Sequence, residues 1–586
     1  MGSDDALLTL AEKSGFLKTG RTDEVACLCG AYAAAWPSEV RMLKFGRSAE
    51  GRDMLALLIC RRDPRTVPLL MVQAGIHPGE SDGKDAGFIA LRELLSGAAA
   101  PQALDKVALL FVPAFNVDGH ERFGRWNRPN QNGPEEMGWR TTAQNLNLNR
   151  DYTKADAPEM QALLRLVNEW DPLVYADLHV TDGADFEPDV SIQVEPINQG
   201  DPSLCGIGRQ LRDALIDRLA GEGSLPLPFY PDLVRADDPS SGFQLSVYSP
   251  RYSTGYPPAR NRFGVLVETH SWKDYATRVR VTRNTVVGLA ELVAEHGSAW
   301  RQAVQRADQD TARLFGSEIA LDYSSTWRET GRADVAASAT AADDGTLIDF
   351  RGYAYTRSVS PISGSLVTRY DPKTPQIWRV PYRDRIRPSV VATVPRSYLV
   401  PPAYAGLIGA KLELHGVRFG RLKHSAQKTP VEAFRATQAN FSGAPFEGRF
   451  RAELEGAWSE ETLDVPADSL IVPTAQPLAR LILALLEPQA PDSFAAWGFF
   501  NAHFEQKEFI EPYVAERIAR EMLDRDPDLA KAFNEKLRAD AAFAGDPAAR
   551  LAFFLRHHES WDVRYNVYPI YRTREPIEVA SGEVAQ

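Results

Sequence analysis

Four short segments that are apolar at nearly every position constrain the fold of this chain more than any other feature. A strand carries hydrophobic residues continuously when helices cover both faces of its sheet. Stretches with apolar residues at helical spacing separate these runs, and that alternation is typical of an α/β domain. We therefore predict a mixed, mostly parallel sheet with helices on both faces. The four apolar segments are residues 67–76, 107–115, 173–180 and 263–269.

The length of the chain, 586 residues, exceeds what one hydrophobic core supports and predicts several domains. We assign the α/β domain to residues 5–300. Short strand-like runs broken by Pro and Gly follow, such as 346–353 and 431–437, and they predict a β-rich accessory domain over residues 319–472. Helical spacing returns after that point, and we expect a helical or mixed C-terminal region over residues 473–586.

The charge and the hydropathy of the chain argue against two classes of partner. Lys and Arg number 66 against 78 Asp and Glu, which gives a formal net charge of −12 without a long basic run. An acidic balance of this kind disfavours nucleic acid and anionic membranes. No uninterrupted apolar stretch of the sequence reaches the roughly 18 residues that a membrane-spanning helix needs. We expect neither nucleic acid nor a membrane as a partner, and the sequence does not indicate the oligomeric state.

The first residues, Met1–Asp5, contain neither the basic segment nor the apolar segment of a secretory leader. We expect a periplasmic or secreted protein if a leader has been removed, and a cytoplasmic one otherwise. The cysteines are too few for a disulfide framework. They are Cys27, Cys29, Cys60 and Cys205.

A His-x-x-Glu pair, His77-Pro-Gly-Glu80, follows the first apolar run directly. The end of a buried strand delivers side chains to the edge of an α/β sheet where such folds bind their ligands. His179 ends another apolar run and is followed by turn-forming residues. Two histidines and a glutamate form the ligand set of a catalytic zinc ion, which keeps a fourth position for water. Alone, each motif would indicate an ordinary turn or a buried strand histidine, but together they predict one Zn²⁺ per chain.

Two further motifs suit a cleft beside that metal. Asn149 and Arg150 are adjacent, and the planar guanidinium of an arginine can bind a carboxylate through two hydrogen bonds. Glu268 ends the fourth apolar run, where a buried carboxylate close to a metal-activated water fits a general base. Without the other motifs, an ion-paired strand end would be the simpler interpretation of Glu268.

The order of these motifs resembles the carboxypeptidase A-like family of zinc metallocarboxypeptidases. The resemblance covers roughly residues 10–295, and residues 46–55 are similar to the entry strand pair of the family. The whole chain resembles a large bacterial-type member with a C-terminal extension. The matching motifs are His77-x-x-Glu80, Asn116-x-Asp118-Gly119, Asn149-Arg150, His179 and Glu268.

The resemblance implies a role for each matched residue. The two histidines and the glutamate would bind Zn²⁺, which activates a water molecule and polarises the scissile carbonyl. Glu268 would take the proton from that water and return it to the leaving amine. Asn149 and Arg150 would bind the free C-terminal carboxylate of a peptide substrate. The expected enzyme is therefore a metallocarboxypeptidase, a zinc-dependent exopeptidase.

Two roles in the family have several candidates in this sequence. One arginine should stabilise the oxyanion, a contribution of about 3–4 kcal/mol in comparable cases, and Arg140 matches best in its local sequence. One tyrosine should cap the substrate, and Tyr256 lies closest to the matching position. The alternatives are Arg125 and Arg128 for the arginine, and Tyr252 and Tyr248 for the tyrosine.

Two departures from the family pattern affect the site. Many members carry an aspartate two residues before the Asn-Arg pair, where it orients the first zinc histidine, and this chain has Asn147 there. We expect the support of His77 to be weaker or different. The segment of the specificity pocket, residues 251–262, is rich in Pro, Gly and Tyr and matches no selectivity rule. We do not expect His270, two residues after Glu268, to be a fourth ligand.

Other functions are compatible with the same metal motif. A zinc deacylase or amidase would act on N-acyl amino acids, and a relative specialised for peptidoglycan would act on stem peptides. A carboxypeptidase-like protein without activity would only bind C-termini. The three ligands together with Glu268 argue against the inactive form, and the large additional regions argue against a small-substrate deacylase.

Overall fold

A computed structural model describes residues 5–325 and 345–577, and its helices and strands are numbered in chain order. Residues 1–4, 326–344 and 578–586 carry parts of the leader, accessory-domain and C-terminal predictions and lie outside the described residues. The helices are α1 (Leu10–Lys13), α2 (Thr22–Ala35), α3 (Asp82–Ser96), α4 (Val117–Glu121), α5 (Pro158–Trp170), α6 (Cys205–Gly221), α7 (Tyr275–Thr311), α8 (Pro402–Leu414), α9 (Ala479–Leu486), α10 (Pro512–Arg525), α11 (Pro527–Ala539), α12 (Ala541–Gly545) and α13 (Pro547–Leu555). The strands are β1 (Val40–Arg47), β2 (Asp53–Ile59), β3 (Leu69–Ala74), β4 (Ala108–Val112), β5 (Val174–Val180), β6 (Val190–Glu195), β7 (Pro226–Leu227), β8 (Asp232–Leu233), β9 (Phe243–Gln244), β10 (Phe263–Thr269), β11 (Glu318–Ser325), β12 (Thr346–Val359), β13 (Leu366–Arg383), β14 (Ile386–Thr393), β15 (Ser397–Val400), β16 (Gly420–Arg421), β17 (Ala426–Phe441), β18 (Ala452–Val465), β19 (Leu470–Pro473) and β20 (Tyr571–Thr573).

An eight-stranded mixed sheet forms the centre of the first half of the described chain. Its order is β1-β2-β4-β3-β5-β10-β6-β7. The central strands β4, β3, β5 and β10 run parallel, while β2 and β6 pair antiparallel with them on either side. Every residue of β3, β4 and β5 is buried, as expected for strands covered on both faces. The predicted mixed, mostly parallel sheet is confirmed.

Helix α3 crosses this sheet at close range just after the Glu80 turn, and two glycines permit the approach. A side-chain carbon at Gly83 would lie 2.7 Å from the Cβ atom of Leu178, and one at Gly87 would overlap the ring of Phe111. Both positions are far inside van der Waals contact. The helix can therefore rest directly on β4 and β5, and the chain leaves β3 in a tight turn that carries the His-x-x-Glu pair.

Helix α7 covers the sheet after β10. It runs over 37 residues, Tyr275–Thr311. Val279, Val286 and Val293 are buried at a spacing of seven residues, which gives the helix one apolar face. Within residues 5–325 and 345–577, we find no helix that is both long and apolar enough to cross a bilayer.

Two larger sheets form in the second half of the described chain. The β12–β13 hairpin joins two short strands of the first half, β9 and β8, in a four-stranded sheet. A six-stranded sheet has the order β16-β19-β15-β20-β17-β18, and its strand β20 comes from the predicted C-terminal region. The predicted β-rich and helical characters of these regions are confirmed. The domain boundaries stay a prediction, and both sheets combine strands from different predicted domains.

The hydrophobic core also crosses those boundaries. One continuous cluster of buried side chains begins at Val25 and includes Trp300 in α7, Phe434 in β17, Leu483 in α9 and Ile570. Each fully buried large apolar side chain stabilises the folded state by about 1.5–3 kcal/mol. The two halves of the chain therefore stabilise each other through shared apolar surface.

The turn between β17 and β18, residues 442–451, reaches the first half of the chain, and we call it the β17–β18 tip. Glu447 Oε2 accepts a hydrogen bond of 2.8 Å from the backbone N–H of Asn147. The Arg449 guanidinium donates two hydrogen bonds to the Asp156 carboxylate, at 2.7 and 2.9 Å. Both partners flank the predicted Asn-Arg pair, so the accessory region directly contacts the segment that carries it.

We expect Asp156→Asn to destabilise the protein by about 2 kcal/mol near neutral pH. Burial opposes ionisation, but hydrogen bonds from Arg449 and the charges of Lys154 and Lys411 outweigh it and lower the pKa of Asp156 to about 2. An unfolded aspartate titrates at about 3.9. The stabilisation is therefore present above that pH and is lost as the pH falls from about 4 to about 2. Urea unfolding at pH 7 and pH 3 measures both effects.

The control for this prediction is Asp310→Asn. It removes an exposed carboxylate that lies 3.7 Å from Arg313. Exposed pairs contribute about 0–1 kcal/mol, so this variant should unfold close to the wild-type urea concentration. An Asp156→Asn protein as stable as the wild type would contradict the stabilising role of the partly buried pair of Asp156 and Arg449.

Candidate metal centre and substrate cleft

Three side chains from neighbouring strand ends converge at the carboxyl edge of the sheet. His77 and Glu80 lie in the turn after β3, and His179 lies near the end of β5, which pairs with β3. His77 Nδ1 is 3.0 Å from Glu80 Oε1, and His179 Nδ1 is 2.9 Å from Glu80 Oε2. The potential ligand atoms all lie within 4.8 Å of one another, and all three residues are buried.

The outer nitrogen of each histidine faces a hydrogen-bond acceptor. His77 Nε2 lies 3.0 Å from Asn147 Oδ1, and His179 Nε2 lies 2.6 Å from Asp177 Oδ2. An acceptor at Nε2 keeps a proton on that nitrogen, so a metal ion would bind at Nδ1, on the side that faces Glu80. The hydrogen-bond partner of His77 therefore differs from the family pattern in its functional group. It is a neutral amide where a carboxylate is common.

The environment acts in opposite directions on the pKa values of the two histidines. Burial lowers the pKa of His77 to about 4, so its imidazole is neutral at pH 7. Burial alone would raise the pKa of Glu80, but Arg128 and the two histidines hold it well below its usual range. Burial would likewise lower the pKa of His179, but Asp177 and Glu80 hold it well above its usual value.

This set of side chains fits a zinc ion. Two imidazole nitrogens and one carboxylate are the His₂Glu ligand set of catalytic zinc sites, which leave one position open. The two nitrogens that face the cluster are both Nδ1 atoms, and both Nε2 atoms are hydrogen-bonded away from it. The cluster could therefore hold one divalent metal ion while both Nε2 atoms keep their present hydrogen-bond partners.

Glu268 lies on β10 directly opposite His179 of β5 in the strand register. Its carboxylate lines the same cleft as the three potential ligands. Burial raises the pKa of Glu268 to about 8, because it outweighs the opposing effect of His179. Its Oε2 atom has no hydrogen-bond partner among the described residues. A carboxylate with a raised pKa binds a proton readily, which is the property that a general base requires.

Asn149 and Arg150 form a short turn that also lines this cleft. Asn149 Oδ1 accepts a hydrogen bond of 2.9 Å from the backbone N–H of Ser253. The Arg150 guanidinium lies 4.3 Å from the centroid of the Tyr252 ring. No carboxylate in the described part of the chain forms an ion pair with Arg150. Its charge is therefore available to an anion in the cleft.

The three arginines considered for the oxyanion occupy different environments. Arg128 is partly buried and donates to Glu80 at 2.7 Å and to two backbone carbonyls at the end of β5, those of Val180 and Thr181. The Arg140 side chain is 42% exposed, and its Nη1 atom lies 3.3 Å from Glu80 Oε1. Arg125 stacks on a neighbouring tryptophan and does not line the cleft. Arg140 therefore has the most donors free beside the cluster.

The structure does not bring Tyr256 into the cleft, which corrects the expectation that it caps the substrate. Its side chain is 1% exposed, and its hydroxyl lies 2.9 Å from His415 Nδ1. The ring fills the contact between the two halves of the chain and cannot reach a substrate. Tyr248 and Tyr252 line the cleft instead. The Tyr248 hydroxyl has no hydrogen-bond partner among the described residues, whereas Tyr252 accepts from Arg251.

We expect Tyr256→Phe to leave kcat/KM unchanged and to lower the free energy of unfolding by about 1 kcal/mol. The change removes one buried hydroxyl that contacts His415 and Arg260. Peptide hydrolysis and urea unfolding of the same preparation provide both numbers. Tyr248→Phe serves as the matched variant, because it removes a hydroxyl that lines the cleft. A large loss of activity in Tyr256→Phe at unchanged stability would contradict the placement of this residue.

Two further residues, His270 and Asp177, lie close in sequence to Glu268 and His179. His270 stacks on Phe186, with ring centroids 3.9 Å apart, and does not belong to the group of potential ligands. Asp177 is a site residue that the motifs alone do not single out. Its position two residues before His179 places both on one face of β5, and this spacing is the signal that predicts their contact.

The fold places a cluster that could hold a metal ion at the carboxyl edge of an α/β sheet, and a paired asparagine and arginine line the same cleft. Residues 27–186 match the model of the zinc carboxypeptidase family. This segment contains the three potential ligands and the Asn-Arg pair, and it ends before Glu268. This match identifies a zinc carboxypeptidase domain within the chain and supports the activity of a metallocarboxypeptidase hydrolase. The family implies a peptide substrate.

Several known proteins are similar to the chain. Carboxypeptidase 2 of Trichophyton tonsurans is 24% identical over 444 residues, which cover 73% of this chain and 73% of that protein. Carboxypeptidase 2 of Trichophyton rubrum is 24% identical over 442 residues, with the same coverage. The inactive metallocarboxypeptidase ECM14 of Saccharomyces cerevisiae is 32% identical over 117 residues, which cover 18% of this chain and 27% of that protein.

Solved structures give weaker matches. A metallo-carboxypeptidase from Pseudomonas aeruginosa, in complex with (2-guanidinoethylmercapto)succinic acid, has a TM-score of 0.36 and 19% identity, over 47% of this chain and 69% of that chain. A carboxypeptidase A from Helicoverpa armigera has a TM-score of 0.35 and 18% identity, over 52% and 80% of the two chains. The fold assignment therefore rests on the sheet topology itself.

Proposed function

We propose that this protein is a zinc-dependent exopeptidase that removes residues from peptides with a free C-terminal carboxylate. The observation that carries the proposal is Arg150, a half-buried cation without an acidic partner among the described residues, in the same cleft as the three potential ligands. A charge withdrawn from water is costly unless a counter-charge accompanies it. The terminal carboxylate of a peptide would supply that counter-charge.

The surroundings of Arg150 also favour an anion. Burial lowers the pKa of Arg150, and the positive charges of Arg140 and Arg251 add to the effect. These guanidinium groups give this end of the cleft a positive potential. Asn149 uses its side-chain oxygen on Ser253, which leaves its NH₂ group as a further donor. A carboxylate bound there would accept hydrogen bonds from both members of the Asn-Arg pair.

The side chains around the cluster would divide the work of hydrolysis. His77, Glu80 and His179 would hold one Zn²⁺, which supplies Lewis acidity to the carbonyl and lowers the pKa of water when bound. Glu268 accepts the proton of the attacking water and later passes it to the leaving amine. The register of β10 against β5 supports this role, because it fixes Glu268 beside His179.

We assign two further roles on the same basis. Arg140 would stabilise the negative charge that develops on the carbonyl oxygen, because Arg128 already donates to three acceptors. Donors of this kind contribute about 3–4 kcal/mol to the transition state. Tyr248 would cap the bound residue in place of Tyr256, because its free hydroxyl lines the cleft.

A mixed peptide library with free or amidated C-termini tests this function in the full-length, zinc-loaded protein. We expect the loss of single C-terminal residues from the free peptides only, and mass spectrometry would identify the released residue. Chelation of the metal should abolish the reaction, and Zn²⁺ should restore it. Cleavage of amidated peptides at a comparable rate would contradict the carboxylate-binding role of Asn149 and Arg150.

Parallel reactions with N-acyl amino acids and peptidoglycan stem peptides separate the alternatives. Turnover of N-acyl amino acids while peptides stay intact would indicate a deacylase. Turnover of stem peptides alone would indicate a cell-wall substrate. Binding of free C-termini without turnover of any substrate would indicate an inactive protein and would overturn the proposal.

A further inference from the structure

A closed set of buried hydrogen bonds lies behind His179. Asp177 shares one face of β5 with His179, and Gln73 of β3 is the register partner of Asp177. Tyr175, on that same face of β5, and Tyr152 complete the set. All five side chains are at most 4% exposed. Water therefore does not compete for these hydrogen bonds.

The direction of each hydrogen bond in this set follows from the donors available. Tyr175 OH donates to Gln73 Oε1 at 2.6 Å. A phenol has one proton, so the 2.6 Å contact between the two tyrosine hydroxyls requires Tyr152 as the donor. The amide oxygen of Gln73 is thereby engaged, and its Nε2 atom faces Asp177 Oδ1 at 2.9 Å and Tyr152 OH at 3.3 Å.

The orientation of Gln73 determines what Asp177 can offer to His179. One carboxylate oxygen accepts from Gln73, and the other lies 2.6 Å from His179 Nε2. A carboxylate only accepts, so the imidazole proton stays on Nε2. Nδ1 faces the Glu80 carboxylate, and a metal ion bound there would replace the proton that the two groups share.

We infer that Asp177 is a positioning residue, which together with Gln73, Tyr175 and Tyr152 holds His179 in the tautomer that binds the metal. The inference rests on the metal site of the proposed function and concerns affinity for the ion. The inference also explains how the site accommodates Asn147, where a carboxylate is common. The carboxylate partner is Asp177, which faces His179 instead of His77.

The contrast with Asn147 makes the inference specific. Asn147 Oδ1 also accepts a hydrogen bond of 3.0 Å from the backbone N–H of Asn149. This second donor turns the amide oxygen toward His77, so a neutral side chain suffices there. An asparagine at position 177 has no such help, because Gln73 Nε2 would attract its oxygen and leave its NH₂ group facing His179.

Asp177→Asn therefore tests the inference with little change in shape. Two donors would meet at His179 Nε2 unless the imidazole moved its proton to Nδ1, where it blocks the metal. We expect zinc affinity to fall by about 10- to 100-fold. Competition with a chromophoric chelator measures this affinity in the full-length protein without any peptide.

The rescue variant combines Asp177→Asn with Gln73→Glu. A glutamate at position 73 accepts from Tyr175 and from the NH₂ group of the new asparagine, whose oxygen then faces His179. We expect this double variant to regain most of the lost zinc affinity. The matched control is Asp189→Asn, which changes another buried aspartate of the same domain, one that accepts from the backbone N–H of Leu225. It should bind zinc as tightly as the wild type.

Wild-type zinc affinity in Asp177→Asn would overturn the inference. A loss that Gln73→Glu fails to repair would also overturn it, because the double variant restores an acceptor that faces His179 Nε2. The absorption spectrum of the cobalt-loaded variants reports ligand geometry and should differ from the wild type only in the single Asp177→Asn variant. A wild-type protein that binds zinc but cleaves no peptide would contradict the proposed function and leave this inference intact.

Discussion

Glu268→Gln should lower kcat on peptides with a free C-terminus by about 10²- to 10⁴-fold, the usual contribution of general acid–base catalysis. The amide keeps the size of the side chain but cannot accept the proton of the attacking water. Glu268 is not among the potential metal ligands, so zinc content should stay at the wild-type level. Steady-state kinetics together with metal analysis of the same preparation check both parts.

The pH profile gives a second signature of Glu268. Burial raises its pKa to about 8 in the metal-free protein, and a bound divalent cation would lower it. A base acts only when ionised, so kcat/KM should rise with pH as this carboxyl loses its proton. The variant should lack that rise. Glu295→Gln, on the exposed side of α7, is the control, with a side chain 69% exposed. Wild-type kinetics in Glu268→Gln would rule out the assigned role.

Arg150→Gln should lower kcat/KM on free-carboxylate peptides by about 10- to 150-fold, which corresponds to the loss of a charge-assisted interaction of about 1.5–3 kcal/mol. Any residual cleavage of amidated peptides should not change, because these substrates lack the charge that Arg150 binds. The ratio of the two rates is therefore the informative quantity, and it should fall toward one.

Arg165→Gln controls for the change in net charge. It alters an exposed arginine on α5, in the same domain but outside the cleft. Both rates should remain at their wild-type values in this variant. An Arg150→Gln enzyme that still prefers free over amidated peptides as strongly as the wild type would show that another group binds the carboxylate.

Much of the sheet was predictable because burial on both faces leaves a direct trace in sequence. The runs that became β3, β4, β5 and β10 are apolar at nearly every position, and neighbouring parallel strands end at the same edge of a sheet. That geometry also predicts that His77, Glu80 and His179 approach one another. The pairing of β9 with β13 was not predictable. Strand β9 has only two residues and carries no periodic pattern, and its partner residues in β13 lie more than 100 positions further along the chain.

The residues of the cleft were predictable only where they lie at the ends of buried strands. Tyr256 and Tyr248 both lie in a loop whose path depends on what packs over it, and proximity in sequence to Glu268 does not determine which ring turns inward. The contact of Glu447 with Asn147 joins residues 300 positions apart. No local pattern encodes such a pairing, because it depends on how the accessory strands lie against the first half.

One cluster of buried side chains extends from Val25 to Ile570 and therefore includes both the half that carries the cleft and the half that follows it. Selection for activity therefore also acts on residues that never approach a substrate. A substitution at Phe434, deep in the second half, would reduce the population of competent enzyme as directly as one beside β3. The part of the chain that folds as one unit is therefore larger than the part that forms the catalytic cleft.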